Sequence, residues 1–334
     1  MPSNKPTPME IPNPLFGLYL YPVANDIREK QQDVTWAAQE IAVEDDRHDY
    51  LVRMSPSQHK LAVTTLQSFV EIEQDVGDVW DTFSKWFPHS EIQGACIEIA
   101  RMEKSVHAFF YQKMSDVLNI DPVETAEKQQ TVRAIKNKLT LLKTITSNLD
   151  VNRPLSLFTV AAIEQNLLFG NFAMLKSFKA NGHNLIKKTL TGVDYVIQDE
   201  QLHGVFAAYL HNTYTKELGT SFDKITHEAN CREVIHSIVS HEDDIIDYVY
   251  ENETTINDIS ADDLKVFIRS RANLVLTDMG FSEEYQITKN PIASWFYQGI
   301  NSIKVHDFFA ANTTQYRRNW KFDNFSYFQG ESNE

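Results

Sequence analysis

From Ser57 onward the chain repeats apolar side chains at spacings of three and four. Leu61, Thr64, Leu66, Phe69, Ile72, Val76 and Trp80 trace one face of a long amphipathic helix. Pro88 and the polar cluster His89, Ser90 and Glu91 end that run. Further helices are predicted over about 91–118, 155–180, 184–217, 226–251 and 260–280, with a polar, lysine-rich helical stretch at 122–152. Asp121-Pro122, Asn152-Arg153-Pro154, Ala180-Asn181-Gly182 and Gly280 supply the stops. No stretch alternates like a strand for more than a few residues, and nothing repeats at a fixed period. Glycine and proline number 11 each, too sparse for a turn-rich β fold. The expectation is one all-α domain over 31–310, preceded by a Pro- and Asn-rich arm at 1–30 and followed by a flexible tail at 311–334.

Composition removes several classes of function. With 42% hydrophobic residues the chain can bury a sizeable core, so global disorder is excluded. A net charge of -15 argues against holding a nucleic-acid backbone by bulk electrostatics. Cys96 and Cys231 are too few for a disulfide framework or a thiolate zinc site and read as buried small hydrophobes. No apolar run reaches the length of a membrane span and no signal-peptide core is present, so the chain reads as cytoplasmic.

The acidic and imidazole residues fall on these helices in order. Glu73 lies on the first long helix, and Glu103, Lys104, His107 and Tyr111 on the second. Glu164 sits in an apolar run, and Asp199, Glu200 and His203 lie on the helix after it. Glu200 and His203 are three apart and share a helix face. An ionised carboxylate in apolar surroundings, as at Glu164, is costly unless it pairs or binds a cation. A glutamate from each of two helices, with Glu-x-x-His from the other two, is the ligand layout of ferritin-like carboxylate proteins. Oxygen-rich sites with imidazoles suit iron or manganese. One Glu-x-x-His is more often a solvated face, but the ordered set across four helices is far more specific. Taken alone it leaves open ferritins, ligand-binding oxidases, hydroxylases and desaturases.

Flanking segments narrow this. Trp36-Ala-Ala-Gln-Glu40-Ile, Phe69-Val-Glu-Ile-Glu73 with Gly77-Asp78-Val-Trp80, His107-Ala-Phe-Phe-Tyr111, Asp199-Glu-Gln-Leu-His203 and Asn290-Pro291-Ile292 with Trp295 stand in this order. Together, over about residues 27–310, the chain resembles the small, radical-generating subunits of class I ribonucleotide reductase. The resemblance implies a ferritin-like helical bundle whose four-helix core carries a carboxylate and histidine site. It implies a dinuclear iron or manganese cofactor held by Glu73, Glu103, His107, Glu164, Glu200 and His203. Tyr111 would hold the radical. Trp36 and Asp199, with His203 or His107 as the metal-side link, would begin a transfer route to the large subunit, where ribonucleoside diphosphates are reduced. The runner-up function is a ligand-binding oxidase of the same fold.

The resemblance breaks at one position. Three residues before His107 stands Lys104 where the family carries a metal-bridging glutamate, and its separation from Glu73 fits the family's register. Two expectations follow. In one, Glu103 replaces the missing ligand through a local helix bulge and metal binds. In the other, the Lys104 ammonium neutralises Glu73, Glu164 or Glu200, and the protein works metal-free with a modified Tyr111, as do some similar subunits that have lost glutamates. The resemblance also implies a homodimer, oxygen or a flavoprotein as the source of oxidant, and docking of the tail to the large subunit. Tyr316 and Tyr327 are the candidate redox tyrosines of that tail.

Overall fold

The amphipathic run read from Ser57 is a 31-residue helix, Pro56–Trp86 (α2). Its start is fixed by a capping box. Ser55 Oγ accepts from Gln58 N at 3.2 Å, Gln58 Oε1 accepts from Ser55 N at 2.9 Å, and Pro56 occupies the first turn. This is a computed structural model that describes residues 6–15 and 18–297. The tail at 311–334, with Tyr316 and Tyr327, lies outside the described residues.

Around α2 the chain builds Pro22–Asp33 (α1), Ser90–Met102 (α3), Ala108–Val117 (α4), Pro122–Thr131 (α5), Arg133–Thr146 (α6), Arg153–Ala162 (α7) and Phe169–Lys176 (α8). Lys187–Leu218 (α9), Lys224–Tyr250 (α10) and Ala261–Asp278 (α11) complete it. The only sheet among the described residues is a two-residue-per-strand hairpin, Thr255–Ile256 (β1) and Ile259–Ser260 (β2). Asn257 and Asp258 turn it with φ of 54° and 59°, the left-handed pair that a two-residue hairpin requires. Among the described residues no helix is long and apolar enough to cross a membrane.

Four rods form the centre: α2, α3 with α4, α7 with α8, and α9. The α7–α8 rod is apolar on every side. Leu157, Phe158, Ile163, Phe169, Phe172 and Leu175 are all fully buried, as expected for a helix surrounded by others. The segment expected as an arm at 1–30 carries most of a helix. The chain joins the packed body at α1, where Ala24, Ile27 and Gln31 are buried, and its run-in is pinned by Glu91 Oε1 accepting from Leu20 N and Tyr21 N. So few inward apolar residues left no clear period to read.

Two of the rods are interrupted by a π turn, where the chain closes i to i+5 hydrogen bonds instead of i to i+4. In Glu103–His107 the Ala108 amide donates to the Glu103 carbonyl. In Ile163–Leu167 the Leu168 amide donates to the Ile163 carbonyl at 3.3 Å. The widened second turn finds outside donors for its carbonyls. Arg271 Nε donates to Gln165 O at 2.7 Å, and Lys138 Nζ to Leu167 O at 3.2 Å.

Lys138 is fully buried and pairs at 2.6 Å with Glu242, also fully buried. Gly170 makes room for that carboxylate, since a Cβ there would lie 2.3 Å from Glu242 Oε2. Lys138→Met would leave Glu242 uncompensated and Leu167 O unpaired, so a loss of about 3–5 kcal/mol is expected in urea unfolding. Lys138→Met with Glu242→Gln is expected to regain much of it. Equal destabilisation of the two variants would refute this account.

The late Asn-Pro-Ile segment is a helix start. Asn290 Oδ1 accepts from Ala293 N at 3.2 Å, Pro291 takes the first turn, and residues 291–297 are helical. Lys176 holds it to the body, donating to Asp194 Oδ1 at 2.6 Å and Phe296 O at 2.9 Å.

Candidate metal centre

The central rods bring Glu73 from α2, Glu103 and His107 from the first π turn, Glu164 from the second, and Glu200 and His203 from α9 into one fully buried cluster. It divides into two overlapping sets. Glu73, Glu103, His107 and Glu200 offer donor atoms within 4.8 Å of one another, and so do Glu103, Glu164, Glu200 and His203. Glu103 and Glu200 belong to both. Each set therefore holds one imidazole, one carboxylate of its own and the same two shared carboxylates, the arrangement of two neighbouring cation sites with two bridges.

Both imidazoles are oriented by groups outside the cluster. His107 Nε2 lies 3.0 Å from Asp199 Oδ2, and His203 Nε2 lies 3.0 Å from Gln31 Oε1. Those acceptors keep the proton on Nε2 and turn each Nδ1 lone pair inward. His107 Nδ1 sits 2.9 Å from Glu200 and His203 Nδ1 2.6 Å from Glu103. Without a proton or cation between them such contacts repel. Both Nδ1 atoms, both oxygens of Glu73, Glu103 and Glu200, and Glu164 Oε2 are buried with no hydrogen-bond partner. Oxygen donors, inward imidazoles and orphaned buried atoms are what two hard divalent cations would satisfy.

Without metal, protons carry the charge balance. Burial pushes Glu73 and Glu164 well above the usual carboxylate range, and the neighbouring carboxylates Glu103 and Glu200 push them further. Burial acts against charged imidazoles, but Glu103, Asp199 and Glu200 hold His107 well above its ordinary value. Burial opposes His203 likewise, and Glu103 and Glu200 carry it up to about 9. Glu103 feels the same burial, yet the adjoining Glu73 carboxyl and the two imidazoles bring it below the ordinary value. Glu200 also falls below it, against burial and the Glu103 charge, through its close approach to Glu164, His107 and His203.

The four raised groups bind more protons folded than unfolded, so the metal-free protein must lose stability as pH rises through their folded values. Glu103 and Glu200 act oppositely, but only below pH 4.5, where the unfolded groups take up protons. The window is therefore pH 6.5 to about 9, set by His203. The Tm of metal-free protein should fall across it by an amount equivalent to a few kcal/mol, roughly, and the metal-loaded protein should fall less. A flat or rising metal-free profile would contradict the assignment.

Lys104 is not in the cluster, which corrects the reading that it takes the bridging place and neutralises Glu73, Glu164 or Glu200. Its ammonium lies on the outer side, 2.5 Å from both Asp78 and Asp81. In a regular helix the residues three and four before His107 lie about 60° and 40° to either side of it. The π turn widens this arc, carries Lys104 outward and sets Glu103 inside.

Tyr111 is fully buried one turn beyond His107, stacked on Phe69 at 4.3 Å between ring centroids, and its hydroxyl has no hydrogen-bond partner. Burial, then the Glu73 charge, raise it well above the ordinary phenol value. Trp36 Nε1 donates to Asp199 Oδ2 at 2.9 Å, the same oxygen that His107 Nε2 meets. Trp36 also lies over the His107 ring, 6.0 Å between centroids. The link from Asp199 is thus direct to His107, and reaches His203 through Gln31, whose Nε2 donates to Asp199 Oδ1 at 3.0 Å.

Sequence reasoning missed Gln31, the first residue after the segment assigned to the arm. It also gave no role to Trp80, whose Nε1 donates to Glu164 Oε1 at 2.7 Å. Trp80 stands seven residues after Glu73, two turns along the same face, so its spacing carried the signal.

Known proteins with this chain's features point one way. Residues 19–291 match the family model described as ribonucleotide reductase, small chain. The probable ribonucleoside-diphosphate reductase small subunit of Invertebrate iridescent virus 3 is 26% identical over 322 residues, 91% of this chain and 84% of that protein. Among solved structures, the dimanganese(II) NrdF of Streptococcus sanguinis superposes with a TM-score of 0.72 at 17% identity, over 87% of this chain and 99% of that one. The Rnr4 homodimer of Saccharomyces cerevisiae gives 0.70 at 18% identity, over 90% and 92%. At such identities these two likenesses establish the fold.

Proposed function

Since the chain belongs to the ribonucleotide reductase small-chain family, we propose that it generates a radical on Tyr111 and passes it to the large subunit for reduction of ribonucleoside diphosphates. The observation that carries this reading is the unbroken contact from Trp36 through Asp199 to His107, ending at the doubled carboxylate cluster one turn from a sealed tyrosine.

Glu73, Glu103, His107 and Glu200 would hold one ion and Glu103, Glu164, Glu200 and His203 the other. A pair of iron or manganese ions would supply the oxidising power, drawn from oxygen or from an oxidant delivered by a flavoprotein. The residues of the chain supply the rest. Burial among Phe69 and Phe110 keeps water and small reductants from Tyr111, the condition for a phenoxyl to persist. Asp199 fixes the His107 tautomer and offers Trp36 an acceptor for its indole proton, so an electron hole reaching Trp36 has a place to leave its charge. Only 7% exposed, Trp36 stands at the outer end of this chain of contacts, where transfer to a partner would begin. The metal-free alternative with a modified Tyr111 loses its main support, because the ammonium that would balance the carboxylates faces Asp78 and Asp81.

By the same reading the protein is a homodimer and its segment 311–334 docks to the large subunit, with Tyr316 or Tyr327 continuing the route. The test is reconstitution. Metal-free protein loaded with iron or manganese should take up two ions per chain and, with oxidant, give a tyrosyl paramagnetic signal. Mixing with a large subunit should then convert cytidine diphosphate to its deoxy form. A tyrosyl signal in protein free of metal by elemental analysis would overturn the dinuclear assignment.

A further inference from the structure

Lys104 adjoins Glu103 in sequence, and carboxylates lie on both sides of the helix that carries it. Inside are the buried oxygens of Glu73, Glu103, Glu164 and Glu200, most of them unpartnered. Outside is a groove on α2 floored by Gly77, where a Cβ would lie 2.6 Å from Lys104 Cγ and 3.0 Å from its Cε. The stem runs across that bare backbone to Asp78 and Asp81, one turn apart in reach, each 2.5 Å from Nζ. Gln74 Nε2 adds a long 3.4 Å contact to the Lys104 carbonyl.

The interior could take an ammonium in exchange for protons, because four carboxylates converge there around two imidazoles. The exterior seat competes through two carboxylates and through water, as the Lys104 side chain stays 27% exposed and avoids full desolvation. Taking the outer seat also requires that residue 77 lack a side chain. A lysine inside the cluster would supply the charge that a metal ion otherwise brings.

We propose that Gly77, Asp78 and Asp81 form an external seat that keeps the Lys104 ammonium out of the carboxylate cluster and so reserves the cluster for metal ions. These are positioning residues that touch no ligand atom through their own side chains. The inference rests on the dinuclear reading, and its test is arranged so that the two fail separately.

Metal affinity and stoichiometry are measured by titrating manganese(II) into metal-free full-length protein, with Nζ located in metal-free crystals of each variant. Asp78→Asn with Asp81→Asn should weaken binding by about tenfold or more, the scale seen when groups that orient ligands are lost. Adding Lys104→Met to that pair should restore wild-type affinity, because no cation is left to enter. A merely structural role for the aspartates would not be rescued by removing the lysine. Full affinity in the double aspartate variant, or no recovery in the triple variant, overturns the proposal. So do crystals of the double variant with Nζ still outside the cluster, whether or not the wild type takes up metal. If the wild type binds no manganese or iron while Nζ moves inward in the double variant, the seat stands and the dinuclear reading falls.

Discussion

Replacing Glu103 by alanine is expected to weaken both metal positions together, whereas Glu164→Ala weakens one. The difference follows from membership: Glu103 offers a donor atom to both sets of ligands, and Glu164 to one. Each position would keep three donors without Glu103, but one of the two carboxylates shared by both positions would be gone and the Nδ1 atoms of both imidazoles would lose a neighbour at 3.4 Å and 2.6 Å. An affinity loss of about a hundredfold or more at each position, near 2.8 kcal/mol, is the expected scale for losing a ligand and not merely an orienting group. Glu73→Ala should mirror Glu164→Ala and spare the His203 side. The measurement is manganese titration followed by elemental analysis after desalting. Retention of two tightly held ions by Glu103→Ala would show that Glu103 is no bridge, and would leave the bridging question with Glu200.

That question marks where the sequence was readable and where it was not. Helix runs were legible because a surrounded bundle demands apolar side chains at every third or fourth place, as in Leu61 through Trp80, and the observed α2 follows that run. The order Glu73, Glu103, His107, Glu164, Glu200 and His203 was legible because buried carboxylates in apolar helices stand out. The seat of Lys104 was not. With Glu103 and Lys104 adjacent, a regular helix puts both near the His107 face, and only the phase of the turn separates them. The π turn sets that phase, and Lys104 then packs across the helix pair on Gly77, Asp78 and Asp81, contacts that no local period encodes. Gln31 was hidden for a related reason. Its role comes from lying between Asp199 and His203, which are distant in sequence and meet it only in the folded bundle.

Tyr111→Phe and Trp36→Phe are expected to abolish turnover alike while separating at the radical. In Tyr111→Phe the ring keeps its stack on Phe69 and only a hydroxyl without a partner is removed, so folding and metal uptake should be unchanged. The tyrosyl signal should vanish, because no other tyrosine is placed one turn from the cluster histidine on that helix. Trp36→Phe leaves Tyr111 and the six cluster residues untouched and removes the indole N–H held by Asp199, so the signal should form and then fail to discharge into the large subunit. Nucleotide reduction should fall by about 10³-fold or more in each, roughly 4 kcal/mol of barrier at 1.36 kcal/mol per decade. Asp199→Asn should behave like Trp36→Phe with an added fault. Asp199 accepts from Trp36, His107 and Gln31, and an amide in its place must present a donor to one of these donors. If the amide nitrogen faces Gln31, that side chain must turn over, and its own nitrogen then meets His203 Nε2, carrying the disturbance to the second ligand set. Metal affinity should therefore drop on the His203 side in Asp199→Asn and stay whole in Trp36→Phe. Normal turnover by Trp36→Phe would remove Trp36 from the route, and a surviving tyrosyl signal in Tyr111→Phe would place the radical on another tyrosine.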